Sequence, residues 1–106
     1  MKTQLKERKM DEQKVIQALS QVEHPEIGST LVDLGMVKDI QVEGDHVSLK
    51  LVLPMLGIPP AIRDYMINSL QQAVADQGVK VQVALAEMTP QERQRFFMME
   101  QQNWKG

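Results

Sequence analysis

The sequence predicts an α+β fold: a two-layer α/β sandwich in the order α-β-β-α-β, with a further C-terminal helix, over a three-stranded mixed sheet. Three observations carry this expectation. Apolar residues recur at helical spacing near 11–22 and again over 59–74. Val47, Leu49, Leu51 and Leu53 alternate with polar or smaller residues, as do Val79, Val81, Val83 and Leu85. Only Glu43-Gly44-Asp45 joins the first two strands, a hairpin connection, whereas a whole helix separates the second from the third. The hairpin makes the first pair antiparallel, and a right-handed helical crossover returns the third strand parallel to the second.

Three segments follow from the patterning: a polar tail over 1–10, an α+β domain over 11–88, and a helical extension over 89–106. The tail holds Lys2, Lys6, Arg8 and Lys9 against Glu7, which reads as a solvated end or, alternatively, a nucleic-acid arm. Asp11 is a suitable N-cap for a helix reaching about Gln21, with Val15, Ile16, Leu19 and Val22 as its stripe. His24-Pro25 ends it, because proline disfavours helical geometry in the residue before it. A loop over 24–35 follows, punctuated by Pro25, Gly28 and Gly35 and anchored by Leu31 and Leu34. Strands are expected at Val37–Val42 and His46–Leu53.

The second helix starts at Pro59-Pro60, where proline suits a first turn. It buries Ile62, Met66, Leu70 and Ala73, flanked by Ile67 and Val74, and stops near Gly78. A third strand covers Val79–Ala86. Thr89-Pro90-Gln91-Glu92 is a capping box that opens the last helix, which carries Phe96, Phe97, Met98, Met99 and, past them, Trp104. That apolar surface either docks on its own sheet, whose outer face is only half polar, or pairs two subunits as a homodimer.

Composition narrows the function. A chain of 106 residues is one domain. Its net charge of −2 argues against a general phosphate-backbone binder. No cysteine is present, so no disulfide and no thiolate-held zinc or iron–sulfur site can come from this chain alone. MKTQLKERKM has no apolar signal core, and no run approaches the roughly 18 apolar residues of a membrane span. The expected location is the cytoplasm.

No nucleophile–base set and no Walker or dinucleotide glycine pattern is visible, so no enzyme activity is expected. His24 and Glu26 share one side of an extended segment and, with Asp33, could be offered as metal ligands. The alternative is that Glu26 satisfies backbone N–H groups, for instance at the start of the second helix. The eight methionines suit core filling or an adaptable surface better than a soft-metal box. The strongest surface candidate is the loop within LVLPMLGIPP at 51–60. Pro54, Gly57, Pro59 and Pro60 shape it, and Met55, Leu56 and Ile58 must be buried or form an apolar knob.

Two strings then point to a family. V-x-H-P-E-I-G-S-T-L-V-D-L-G-M-V at 22–37 and the strand–proline loop–helix passage at 47–62 resemble the PaaD/SufT-like family, which also forms the amino-terminal domain of some Mrp-type ATPases. The resemblance covers roughly 11–87. The ending ERQRFFMMEQQNWKG is similar to an extension in one branch of that family. The resemblance implies an iron–sulfur cluster assembly domain-like fold and a part in maturing iron–sulfur or other metal centres.

Position by position, Glu26, Gly28, Leu34 and Gly35 match the family. His24 stands at its usual aspartate, and Pro54 and Met55 stand at its threonine pair. Ile58 stands at its reactive cysteine, before the matching Pro59. The resemblance to this cysteine-less chain therefore implies an accessory factor with no cofactor of its own. It would contact partners through His24, Glu26, Asp33 and the stretch Pro54, Met55, Leu56, Gly57, Ile58 and Pro59. Those partners would be a cluster carrier, an Mrp-type ATPase or a recipient protein. Two rivals stand beside this reading. One is a KH-like nucleic-acid module, against which the chain has no GXXG loop and is negatively charged. The other is a plain oligomerisation domain.

Overall fold

The first described helix, α1 (residues 12–20), buries Val15 and Leu19 on the sheet, and Val22 follows them into the core. The computed structural model describes residues 12–105; the expected tail over 1–10 and the Asp11 cap lie outside them. Ile16 is 37% exposed, so the α1 stripe is narrower than the spacing suggested. At 100° per residue, a side chain adjacent to Val15 is rotated toward solvent.

Strands β1 (Val37–Glu43) and β2 (His46–Leu53) pair antiparallel, and β3 (Lys80–Glu87) lies parallel to β2. The sheet order is β1-β2-β3, which places β2 in the centre. The mixed sheet and the α+β class are therefore as the sequence predicts. Val47, Leu49, Leu51 and Leu53 face inward and are buried, with Val81 and Val83 beside Val47 and Leu49 in the parallel register. A bulge interrupts β1 between Lys38 and Gln41. Its Asp39 takes a left-handed φ of 54°, and its carboxylate reaches Lys50 across the pair at 3.4 Å. Aspartate is one of the few side chains that tolerates this conformation.

Helix α2 (Pro60–Ala75) is the crossover, with proline in its first turn and Met66, Leu70 and Val74 fully buried. Ile62, Ile67 and Ala73 pack at its margins. Helix α3 (Pro90–Asn103) opens on the expected capping box: Glu92 N–H donates to Thr89 Oγ1 at 3.2 Å, and Thr89 N–H donates to Glu92 Oε1 at 2.9 Å.

Helix α3 does not blanket the outer sheet face. Ser48, Lys50, Gln82 and Ala84 stay exposed there, and only Val52, at the far end of β2, is buried. The helix packs instead at that end of the sheet, where Glu92 pairs with Lys38 and Phe96 is buried within its own chain. Phe96 is the single buried residue of α3, so a narrow apolar contact suffices to seat it.

Candidate functional site

The loop that follows α1 is an ordered hairpin. An antiparallel bridge joins Glu23 to Thr30, and His24 N–H donates to Ser29 O at 3.1 Å. Leu31 N–H donates to Val22 O at 2.8 Å. Ile27, Leu31 and Leu34 are buried almost completely, which fixes the loop on the core. Gly35 (φ 76°) closes the turn that leads into β1.

The second loop leaves β2 at the buried Pro54, exposes Met55 and Leu56, and returns through a half-buried Ile58 to Pro59. Arginine side chains from α3 tie both loops together. Arg93 Nε donates to Pro54 O at 2.7 Å, and Arg95 Nη1 donates to Asp33 O at 2.9 Å.

The segment after α3 completes the frame as a strap. Gly28 N–H donates to Asn103 O at 2.6 Å, Lys105 N–H donates to Glu26 O at 3.0 Å, and Ile27 bridges Trp104. A side chain at residue 28 would place its Cβ 3.2 Å from Asn103 O, so glycine permits the close approach.

Between the two loops and α3 lies a cavity of about 190 Å³. The first loop and its exit give it His24, Glu26 and Met36; the second loop gives Pro54, Met55, Ile58 and Pro59. Ile62 comes from α2, and Phe96, Phe97 and Glu100 come from α3. The two phenylalanine rings meet edge-on at 5.9 Å. The walls are mostly apolar, with a histidine and two carboxylates set among them.

His24 is 6% exposed. Its Nδ1 accepts the Glu26 backbone N–H at 3.0 Å, so Nδ1 is unprotonated and the neutral ring carries its hydrogen on Nε2. Among the described residues Nε2 has no hydrogen-bond partner, and it is not sealed off. Burial pushes the His24 pKa below 6.5; nearby Glu26 opposes the shift, and Lys105 adds to it. The unfolded chain therefore takes up a proton at a pH where folded His24 refuses it. The linked stability is complete above pH 6.5 and is lost as pH falls from there through the lower folded value. Urea unfolding at pH 7.5 and 5.5 should show a smaller drop for His24→Asn, whose amide oxygen accepts the same N–H without titrating. An equal drop in both proteins would place the linkage elsewhere.

Of the residues singled out from sequence, His24, Glu26, Pro54, Met55, Ile58 and Pro59 line this one cavity. Leu56 and Gly57 form the exposed tip beside it. Asp33 does not join them: its N–H donates to Thr30 Oγ1 at 3.1 Å in an exposed turn. The trio of His24, Glu26 and Asp33 is thus not gathered. Among the described residues no three His, Asp or Glu side chains approach closely enough to hold a metal ion. Glu26 does not cap α2, which has no side-chain cap. Sequence reasoning did not place Met36, Ile62, Phe96, Phe97 or Glu100 at this site, though it marked both phenylalanines as an apolar surface. Glu100 had a usable signal, since it sits four residues after Phe96 and so on the same helical face.

The fold and the site together define a small α+β domain that presents a cysteine-free, largely apolar cavity framed by two loops and a C-terminal helix. The family model described as iron–sulfur cluster assembly protein matches residues 12–84, and the chain belongs to that family. An iron–sulfur cluster carrier protein of Synechocystis sp. (strain ATCC 27184 / PCC 6803 / Kazusa) is 35% identical over 81 residues. The match covers 74% of this chain and 22% of that protein, so the chain spans a little over a fifth of the relative's length. The α3 wall of the cavity lies beyond the residues matched by the family model. No helix among the described residues is long and apolar enough to cross a membrane.

Proposed function

We propose that this protein is a non-catalytic adaptor in iron–sulfur cluster assembly or transfer. It contacts its partners through the 54–60 loop and the adjoining cavity. The observation that carries this reading is the loop itself. In a member of this family without any cysteine, Met55 and Leu56 are 46% and 59% exposed beside a cavity that Ile58 lines. Such a surface offers apolar contact and no thiolate, so the thiolates for a cluster come from the partner.

That partner is an iron–sulfur assembly protein such as a cluster carrier or an Mrp-type ATPase, met in the cytoplasm. The chain binds no cofactor alone and no nucleic acid. Because α3 buries Phe96 in its own chain, the reading requires no homodimer.

An anaerobic pull-down with mass-spectrometric identification tests the proposal. Leu56→Asp is the informative variant, because a charge at this exposed position disturbs the contact and not the core; Ile58→Asp probes the cavity wall. Wild type should enrich cluster-assembly proteins, and Leu56→Asp should lower their recovery by about tenfold or more, as for a central apolar contact. Undiminished recovery with folded Leu56→Asp would remove the loop from the interface.

A further inference from the structure

The cavity's charges are as distinctive as its apolar walls. Glu26 and Glu100 come from different segments and face the same space. Among the described residues neither takes part in an ion pair. Among the described residues no lysine or arginine lines the cavity; Lys105, the cation that acts on His24, is held by Glu23 at 3.2 Å. Two carboxylates on the wall of one small, partly apolar space give it a negative character that an entering cation would meet favourably.

The remaining groups narrow the cation. Met55, Ile58, Ile62 and Phe97 offer surface for a methylene stem and an aromatic ring for its charged end. A bare metal ion would find too few ligands close together. His24 is a second pointer: its Nδ1 is taken by the Glu26 N–H, while its Nε2–H is open to solvent and has no protein partner among the described residues. That donor asks for an acceptor, which a peptide carbonyl supplies and a free polyamine does not.

We propose that the cavity is a receptor for a lysine side chain on an extended partner segment. The ammonium sits between Glu26 and Glu100, the stem lies along Met55 and Phe97, and a neighbouring main-chain carbonyl accepts from His24 Nε2–H. The inference rests on the docking reading above and names the chemistry of what docks.

The test uses the full chain and two probes, N-acetyl-lysine N-methylamide and its norleucine counterpart, which has an apolar side chain in place of the aminobutyl stem. Binding is followed by NMR of the His24 ring and Ile58 methyl signals. The lysine probe should bind saturably, and the norleucine probe about tenfold more weakly or worse, as loss of a charge-assisted contact requires. Glu26→Gln and Glu100→Gln should each weaken the lysine probe, and the double variant, shown folded by the same spectra, should no longer distinguish the two. Equal binding of both probes, no saturable shift at His24, or a lysine preference that survives the double variant would overturn the proposal. Wild-type capture of assembly proteins without a lysine preference would reject this inference and keep the adaptor reading. A lysine preference without such capture would do the reverse.

Discussion

Phe96→Ala should lower unfolding stability by about 3–5 kcal/mol, the range for removing a buried phenylalanine side chain. Phe96 is 3% exposed and is the only buried residue of α3. It forms the inner wall of the cavity and packs edge-on against Phe97. The vacated volume joins a space that already opens to solvent, so water can enter and the loss should fall at the lower end of the range. Phe97, 38% exposed, serves as the control, and its alanine variant should lose well under half as much. Urea unfolding of the two variants at constant slope checks both figures. Near-equal losses would mean that α3 is seated by Arg93, Arg95 and the strap, with Phe96 a spectator.

The elements with strong periodicity were legible because their burial follows from local geometry. Val47 to Leu53 alternate in sequence and alternate in burial until Val52, whose burial no strand pattern contains. The capping box at Thr89 and Glu92 was legible because both partners lie within one turn. The Asp39 bulge was not, since an aspartate marks a turn or a cap as readily as a bulge. Methionine shows the same limit: Met36 and Met88 are core residues, while Met55 and Met98 are exposed.

The site was legible in halves. His24, Glu26, Met55 and Ile58 could be marked from the loops that carry them, but their third wall depends on where α3 docks. A helix's own apolar stripe says which face is buried and not against what. Glu100 joins Glu26 partly through Arg93 and Arg95, which donate to the main-chain carbonyls of Pro54 and Asp33. Main-chain acceptors leave no mark on a sequence. Asp33 was overcounted for the complementary reason: its carboxylate suggested a ligand, whereas its backbone does the structural work in the Thr30 turn.

Leu53→Ala should cost about 3 kcal/mol and should also loosen the site, an effect that a core truncation elsewhere would not share. Leu53 is fully buried at the end of β2, where its carbonyl accepts Met88 N–H at 2.8 Å. The next residue, Pro54, gives its carbonyl to Arg93. The buried Leu53 side chain thus sits where the backbone both releases the loop and offers the anchor for α3. Leu70→Ala is the matched comparison: also fully buried, but in the body of α2 and outside the cavity lining. The two variants should unfold at similar urea concentrations. Amide hydrogen exchange from Met55 to Ile58 should accelerate more in Leu53→Ala than in Leu70→Ala, because its void opens directly beneath the loop. Equal acceleration would show that the loop follows global stability, and that the end of β2 does not by itself preorganise the surface offered to a partner.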